Sequence, residues 1–396
     1  VKQIGFGIIG CGLMGREFAS AAARWAHLPE MDCRPHLVAV CDRNPQLLGW
    51  YTDNFPSIRQ ATDDYRALLA NPQVEAVYCA VPHHLHQELY TAAITAGKHL
   101  MGEKPFGIDQ AANQAILACL AEHPAVFARC SSEFPFHPAV QRIGQMIETG
   151  EFGRIIEVNA GFLHSSDLDP HKPLNWKRIG KFNGEYGCMG DLGMHACHVP
   201  FRAGFFPRTV RAVLSKIVAQ RPDGAGRMAP CDTWDNATLL CDAADPATGD
   251  AFPMTLKMQR IAPGEKDTWY LEILGTRAGV RFSTKNPKRL AVLRYEGGEQ
   301  VWGQIDMGQE TAFKSITGPI FEFGFSDAIL QMWAAFLYEL THGRAASRFA
   351  GCVTPEETAL SHRLFTAALE SQRNDAVVPV CRDSSCATAC LPGKQC

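Results

Sequence analysis

The chain of 396 residues lacks any run of the about 18 consecutive apolar residues that a membrane-spanning helix requires, so no membrane partner is expected. It also lacks a surplus of charge of one sign. Lysine and arginine number 38 against 41 aspartates and glutamates, a net charge of −3, which argues against a nucleic-acid partner and against a strongly charged disordered chain. No internal repeat is evident, which excludes a repeat array. Cysteine is not scarce, but 15 thiols scattered along a chain of this length are not the disulfide framework of a small stapled domain. Reduced thiols and a cytoplasmic setting are expected. What is present is a globular composition, 46% hydrophobic and 20% charged, and at about 150 residues per domain the length predicts two to three domains.

Lys2 to Ile9 is a short apolar run ending in Gly10-Cys11-Gly12-Leu13-Met14-Gly15, after which Met14, Phe18, Ala22 and Trp25 recur at helical spacing. The pattern reads strand, tight turn, helix. Further strands are expected at Leu37 to Cys41, Val74 to Val81, Lys98 to Gly102 and Ala125 to Arg129, with helices from Leu85 to Ala96 and from the Asp109 cap to His123. Alternating strands and helices imply right-handed crossovers and a doubly wound parallel sheet over residues 1–130. From 131 to 380 the pattern changes. After a helix from Pro138 to Thr149, strands at Arg154 to Gly161 and, in succession from Thr209 to Gln304, have connections too short for helical crossovers. A large, mostly antiparallel sheet is expected there, covered by helices at Gly190 to Phe201, Asp327 to Thr341 and Pro355 to Glu370. Residues 381–396, with Cys381, Cys386, Cys390 and Cys396, read as a loose tail without the C-x-x-C spacing of structural zinc.

Three glycines fit G-x-G-x-x-G between a strand and a helix, the setting that separates a dinucleotide fingerprint from a chance match. Gly10 permits the tight turn, Gly12 lets the backbone approach a pyrophosphate, and Gly15 lets helix and strand pack closely, so that phosphates meet the helix N-terminus. Asp42 ends the second strand, where a carboxylate accepts both ribose hydroxyls of NAD. It stands somewhat farther from Gly15 than the usual about 20 residues. Two alternatives remain: a ligand-free glycine turn, and an aspartate that only caps the turn at Asn44-Pro45. Arg43 beside it could reach a 2′-phosphate, which leaves NADP open. Lys2, the apolar run and Ala19-Ser20-Ala21 superficially copy a secretory signal, but such a peptide has no reason to space glycines this way.

Glu103-Lys104-Pro105 follows a strand directly, which places Lys104 at the rim where doubly wound folds bind ligands, or makes it an ordinary surface lysine. On a helix, Asp191, His195 and His198 share one face. A carboxylate beside a histidine raises its basicity and orients it, as a general base for a hydroxyl proton requires. The alternatives are a capping aspartate with a core histidine, and a zinc site, which the want of a nearby cysteine pair disfavours; no metal is expected. His171, Lys172, Lys177, Arg178 and Lys181 crowd the preceding loop and read as a solvated basic loop, or as a cradle for an acidic or phosphorylated sugar.

With these residues placed, the chain from Ile4 to Glu370 resembles the Gfo/Idh/MocA family of nicotinamide-dependent oxidoreductases. The likeness rests on Gly10-Cys11-Gly12-Leu13-Met14-Gly15, Val81-Pro82-His83-His84-Leu85-His86, Gly97-Lys98-His99 leading to Glu103-Lys104-Pro105, and Asp191-Leu192-Gly193-Met194-His195. It implies an N-terminal Rossmann domain, a C-terminal α/β domain on a large open sheet, and a substrate cleft between them. It further implies Lys104, Asp191 and His195 as catalytic residues. Cofactor contacts would come from the glycine turn, Asp42, Arg43, Val81, Pro82, His83, His86, Glu103 and Lys104, and substrate contacts from Lys104, Trp176, Asp191, His195 and His198. The implied activity is hydride transfer between NAD and a hydroxyl or carbonyl carbon of a sugar, cyclitol or polyol, in a homodimer or homotetramer. Two other readings stand beside it: a glycoside hydrolase using NAD transiently, and a non-catalytic cofactor-binding regulator. Three departures from the family pattern concern the substrate more than the fold. His83 replaces the usual asparagine, His198 a frequent aspartate, and Glu133 to His137 lacks an arginine.

Overall fold

The computed structural model describes residues 1–308 and 310–381. In it the opening apolar run forms β1 (Lys2–Ile9), followed by β2 (Cys33–Cys41), β3 (Gln60–Thr62), β4 (Ala76–Cys79), β5 (His99–Gly102) and β6 (Ala128–Cys130). They form one parallel sheet in the order β3-β2-β1-β4-β5-β6, whose reversal of direction beside β1 makes the crevice of a doubly wound fold. The helices along the chain are α1 (Leu13–Ala23), α2 (Leu48–Asn54), α3 (Tyr65–Leu69), α4 (His86–Thr95), α5 (Gln110–Glu122), α6 (Pro138–Glu148), α7 (Gly180–Asn183), α8 (Met194–Ala203), α9 (Phe325–His342) and α10 (Pro355–Asn374). Asp109 caps α5 as expected, accepting the Ala112 N–H at 2.8 Å. β2 starts four residues earlier than its apolar pattern suggested, because Cys33 to Pro35 pair with Lys2 to Ile4. The Glu30 to Arg34 segment is therefore only partly a loop.

Later strands are β7 (Ile155–Leu163), β8 (Pro207–Ser215), β9 (Gln220–Pro222), β10 (Met228–Pro230), β11 (Asn236–Ala244), β12 (Ala251–Gln259), β13 (Thr268–Gly275), β14 (Ala278–Ser283), β15 (Arg289–Arg294), β16 (Gly303–Asp306) and β17 (Val378–Pro379). Apart from the β9–β10 hairpin they form a nine-stranded sheet in the order β16-β15-β14-β13-β7-β12-β11-β8-β17. The pairs β14–β13, β13–β7, β12–β11, β11–β8 and β8–β17 are antiparallel, and β7 runs parallel to β12. Burial alternates along β12 with period two, the mark of a sheet with one face covered, and α8 packs against β7, β12 and β13. β16 lies a few residues beyond the Gln300 to Gln304 expected for it.

The chain forms two compact units. Among the described residues, one comprises Val1–Gln145, Pro287–Leu290 and Asp306–Thr358; the other comprises Met146–Asn286, Ala291–Ile305 and residues 359–381. The expected division at 130 differs from this, because α9 returns to the first unit. Its apolar face packs on α1 and β2, with the Trp333 ring stacked on Phe18 at 3.7 Å and edge-on to Phe6 at 5.8 Å. Cys11, Cys33, Cys41, Cys79, Cys119, Cys188, Cys197, Cys231 and Cys241 are free thiols, and no helix among the described residues is long and apolar enough to cross a membrane. Cys386, Cys390 and Cys396 of the expected tail lie outside the described residues.

Candidate active site

In the first unit the glycine turn closes as its sequence demands. Gly10 adopts φ +95°, and a Cβ there would lie 2.2 Å from the Ala80 carbonyl oxygen, while one at Gly15 would lie 2.4 Å from the Gly10 oxygen. Gly12 is different. A Cβ on it would meet nothing within 4 Å, and α1 starts without a side-chain cap or an acidic residue in its first turn. Its N-terminus, with Leu13 exposed and Met14 half-buried, is thus open to an anion, as a bound pyrophosphate requires. Cys11 lies inside the turn. Burial first, then Asp42, pushes its thiol far above the ordinary range, so its contribution is its backbone N–H, donated to Asp42 Oδ2 at 2.8 Å. The other Asp42 oxygen accepts the Asn44 N–H at 2.8 Å. Asp42 therefore caps its own turn, as one alternative held, and also ties β2 to the glycine turn. Arg43 is exposed beside it.

The ends of β4 and β5 form the adjoining rim. Val81 and Pro82 are half-buried there and His83 is buried. His86 Nδ1 accepts the Gly107 N–H at 3.3 Å, which leaves Nε2–H to donate to the Val81 carbonyl at 3.0 Å. His86 is fully buried, so it shapes the rim through backbone contacts. The Glu103 carboxylate lies below it, with Oε1 accepting the hydroxyls of Tyr78 at 2.6 Å and Ser131 at 2.7 Å, while Tyr90 donates to the Glu103 carbonyl. These hydroxyls anchor the turn on which the half-buried Lys104 is presented.

The second unit carries the aspartate and histidines. The helix expected from Gly190 to Phe201 is in fact two segments: a π turn, Met189–Gly193, running into α8. Gly193 sits so close to the Phe365 ring that a Cβ would lie 2.4 Å from it. Asp191 stands in the π turn, so its spacing to His195 is not that of a regular α-helix. Asp191 is 2% exposed, and its oxygens accept from Lys177 Nζ at 2.8 Å and Arg260 Nη1 at 2.5 Å. His195 is buried at the start of α8, its carbonyl accepting the Trp269 indole N–H at 2.9 Å and its ring edge-on to Phe162 at 5.4 Å. His198 is also buried; burial, then Arg202, holds its protonation well below the ordinary histidine range. Trp176 is half-buried, with the Lys177 ammonium 5.6 Å from its ring centre.

In the preceding loop His171 and Lys181 are exposed, as a solvated basic loop requires, whereas Lys172, Lys177 and Arg178 correct that reading by turning to carboxylates. Lys172 pairs with Asp167 at 3.0 Å, Lys177 with Asp191, and Arg178, only 1% exposed, with Asp235. Arg260 spans Asp191 and Asp167, its Nε donating to Asp167 Oδ2 at 3.3 Å. Burial alone would raise the Asp167 carboxyl, but Arg260, Lys172 and Arg178 hold it below the usual range. Buried charge must be paired, and each of these cations has a carboxylate. Asp167, Asp235 and Arg260 went unnoticed in the sequence. Arg260 follows the alternating β12 and Asp167 lies in an irregular loop, so only contacts distant in sequence reveal them. No group of three or more His, Cys, Asp or Glu among the described residues is arranged to hold a metal.

Comparison with known proteins decides the family. Residues 4–129 match the model of the oxidoreductase family with an NAD-binding Rossmann fold, and residues 140–281 match the GFO/IDH/MocA C-terminal domain. The chain belongs to the GFO/IDH/MocA oxidoreductase family. As a member it is an NAD-dependent oxidoreductase. It is 27% identical to levoglucosan dehydrogenase of Pseudarthrobacter phenanthrenivorans over 82% of this chain and 83% of that one. To D-apiose dehydrogenase of Paraburkholderia graminis it is 26% identical over 74% and 75%. A levoglucosan dehydrogenase structure with NADH and L-sorbose superposes with a TM-score of 0.84 at 23% identity, covering 96% of this chain and all of that one; this likeness establishes the fold. The GFO/IDH/MocA assignment agrees with the open helix start at Gly12.

Proposed function

We propose that this oxidoreductase dehydrogenates a hydroxyl of a neutral sugar, anhydro sugar or polyol. The observation that carries this reading is the ion pairing around the loop before Asp191: Lys172, Lys177, Arg178 and, from beyond β12, Arg260 share the buried carboxylates of Asp167, Asp191 and Asp235, so these cations are engaged within the protein, which suits an uncharged polyhydroxy ligand better than a phosphate. The likeness to levoglucosan and D-apiose dehydrogenases supports the same class. In the second unit His195 would take the hydroxyl proton at a ring nitrogen and Asp191 would orient the histidine face; in the first unit Lys104 would serve as a hydrogen-bond donor to substrate. Trp176, and His198 on the α8 face it shares with His195, are proposed to bound the substrate. Bound nicotinamide supplies the hydride acceptor, and the open α1 N-terminus with Asp42 would hold the dinucleotide. Incubating the protein and NAD with neutral sugars, polyols, sugar phosphates and glycosides tests this by NADH absorbance. NADH formed on neutral sugars is the expected result; turnover confined to sugar phosphates, or glycoside cleavage without net NADH, overturns it.

A homo-oligomer is part of the proposal. Val213 on β8 and Leu240 on β11 are 62% and 55% exposed on the large sheet, and these apolar side chains support the packing of a second copy there. Light scattering at micromolar concentration is expected to give a dimer or tetramer, and a monomer would count against it.

A further inference from the structure

We infer that Arg260 is a positioning residue for the dehydrogenation, holding the Asp191 carboxylate in place through a charge-assisted hydrogen bond. The inference rests on the reading above, in which Asp191 and His195 serve the substrate. Asp191 stands in a π turn, where its own backbone does not place it as a regular helix would, so its orientation depends on what holds the carboxylate. Of the two cations described above, Lys177 is the more exposed, at 30% of its side chain, and reaches Asp191 from a short 3₁₀ turn. Arg260 is 9% exposed by side chain and is fixed before it meets Asp191. Its N–H donates to the Asp235 carbonyl at 2.8 Å, its carbonyl accepts the Asp167 N–H at 3.1 Å, and its Nε is held by the Asp167 side chain. One of the two terminal nitrogens, Nη1, then meets Asp191 Oδ2 at 2.5 Å. The planar guanidinium engages two carboxylates from fixed directions, which a lysine ammonium cannot reproduce. Asp235 in turn pairs with buried Arg178 and accepts the N–H groups of Ile217 at 2.5 Å and Val218 at 2.9 Å. Asp191 is thereby tied to the chain that follows β8 and β12 and precedes β11.

Arg260→Gln and Arg260→Lys in the full chain test this, with Asp167→Asn as the variant that leaves Arg260 in place and removes the charge orienting it. Expected for Arg260→Gln is a kcat lower by about tenfold to a hundredfold, with KM and NADH affinity within about threefold of wild type, since misplacing a group near the chemistry acts on the transition state. Arg260→Lys should recover part of that loss and Asp167→Asn should show a smaller one. In crystals of Arg260→Gln the Asp191 carboxylate should have left its place. Unchanged kcat overturns the inference. So does loss of kcat, KM and melting temperature together in every variant, or failure of both Arg260→Gln and Asp167→Asn to fold, each of which marks a merely structural ion pair. If wild type dehydrogenates no sugar, the proposed function fails, while the position of Asp191 in the Arg260→Gln crystal still decides this inference.

Discussion

At the scale of single residues, Asp42 is the residue we propose to set cofactor choice. Its carboxylate is held by Cys11 and Asn44 N–H groups at the end of β2, where it would accept ribose hydroxyls of NAD and face the 2′-phosphate of NADP with like charge. A preference for NAD of about tenfold to a hundredfold is expected, narrowing in Asp42→Ala, as measured by kcat/KM with each cofactor. An unchanged ratio would mean that the carboxylate serves only the turn. Lys104→Ala and His195→Ala are each expected to lower turnover by about two to four orders of magnitude while NADH titration shows nearly unchanged binding. Near wild-type turnover in both would remove them from the chemistry.

Among the elements, α9 is the one whose place the chain order conceals. It lies about two hundred residues beyond the last strand of the parallel sheet, yet it closes that sheet's core, because an 18-residue helix with a broad apolar face must bury it somewhere. Trp333, fully buried against Phe18, Phe6 and Tyr78, is the centre of that contact. Trp333→Ala should destabilise the first unit by about 3–5 kcal/mol in urea unfolding. A loss below about 1 kcal/mol would show that α9 contributes little to this core.

Across the whole molecule, acid sensitivity follows from histidines folded in neutral form. His137 lies between the rings of Phe134 and Phe323, and burial lowers its pKa from 6.5 to about 4. The unfolded chain takes up this proton below 6.5 and the folded chain only below about 4, so stability is full above 6.5 and declines as the pH falls toward 4. His137 alone accounts for about 3 kcal/mol of that decline. Urea unfolding across this range should therefore show a shallower decline in His137→Phe than in wild type, and parallel curves would assign the loss to other groups.

The alternating pattern, the glycine turn, Asp42 at a strand end and Lys104 after β5 were all legible in the amino-acid sequence, because each depends on local spacing or on one residue's backbone freedom. Both sheets, the caps and the family could be read from them. The short strands β3, β9, β10 and β17 were not, since three or fewer polar or mixed residues carry no period. Nor was the fate of the basic loop. Charge composition is the same whether Lys177 and Arg178 face water or face Asp191 and Asp235, and only folding brings Arg260 and Asp167 between them. Local chemistry thus determined which residues could act; long-range packing decided which carboxylates the cations meet, because buried charge is stable only where distant segments supply its partner.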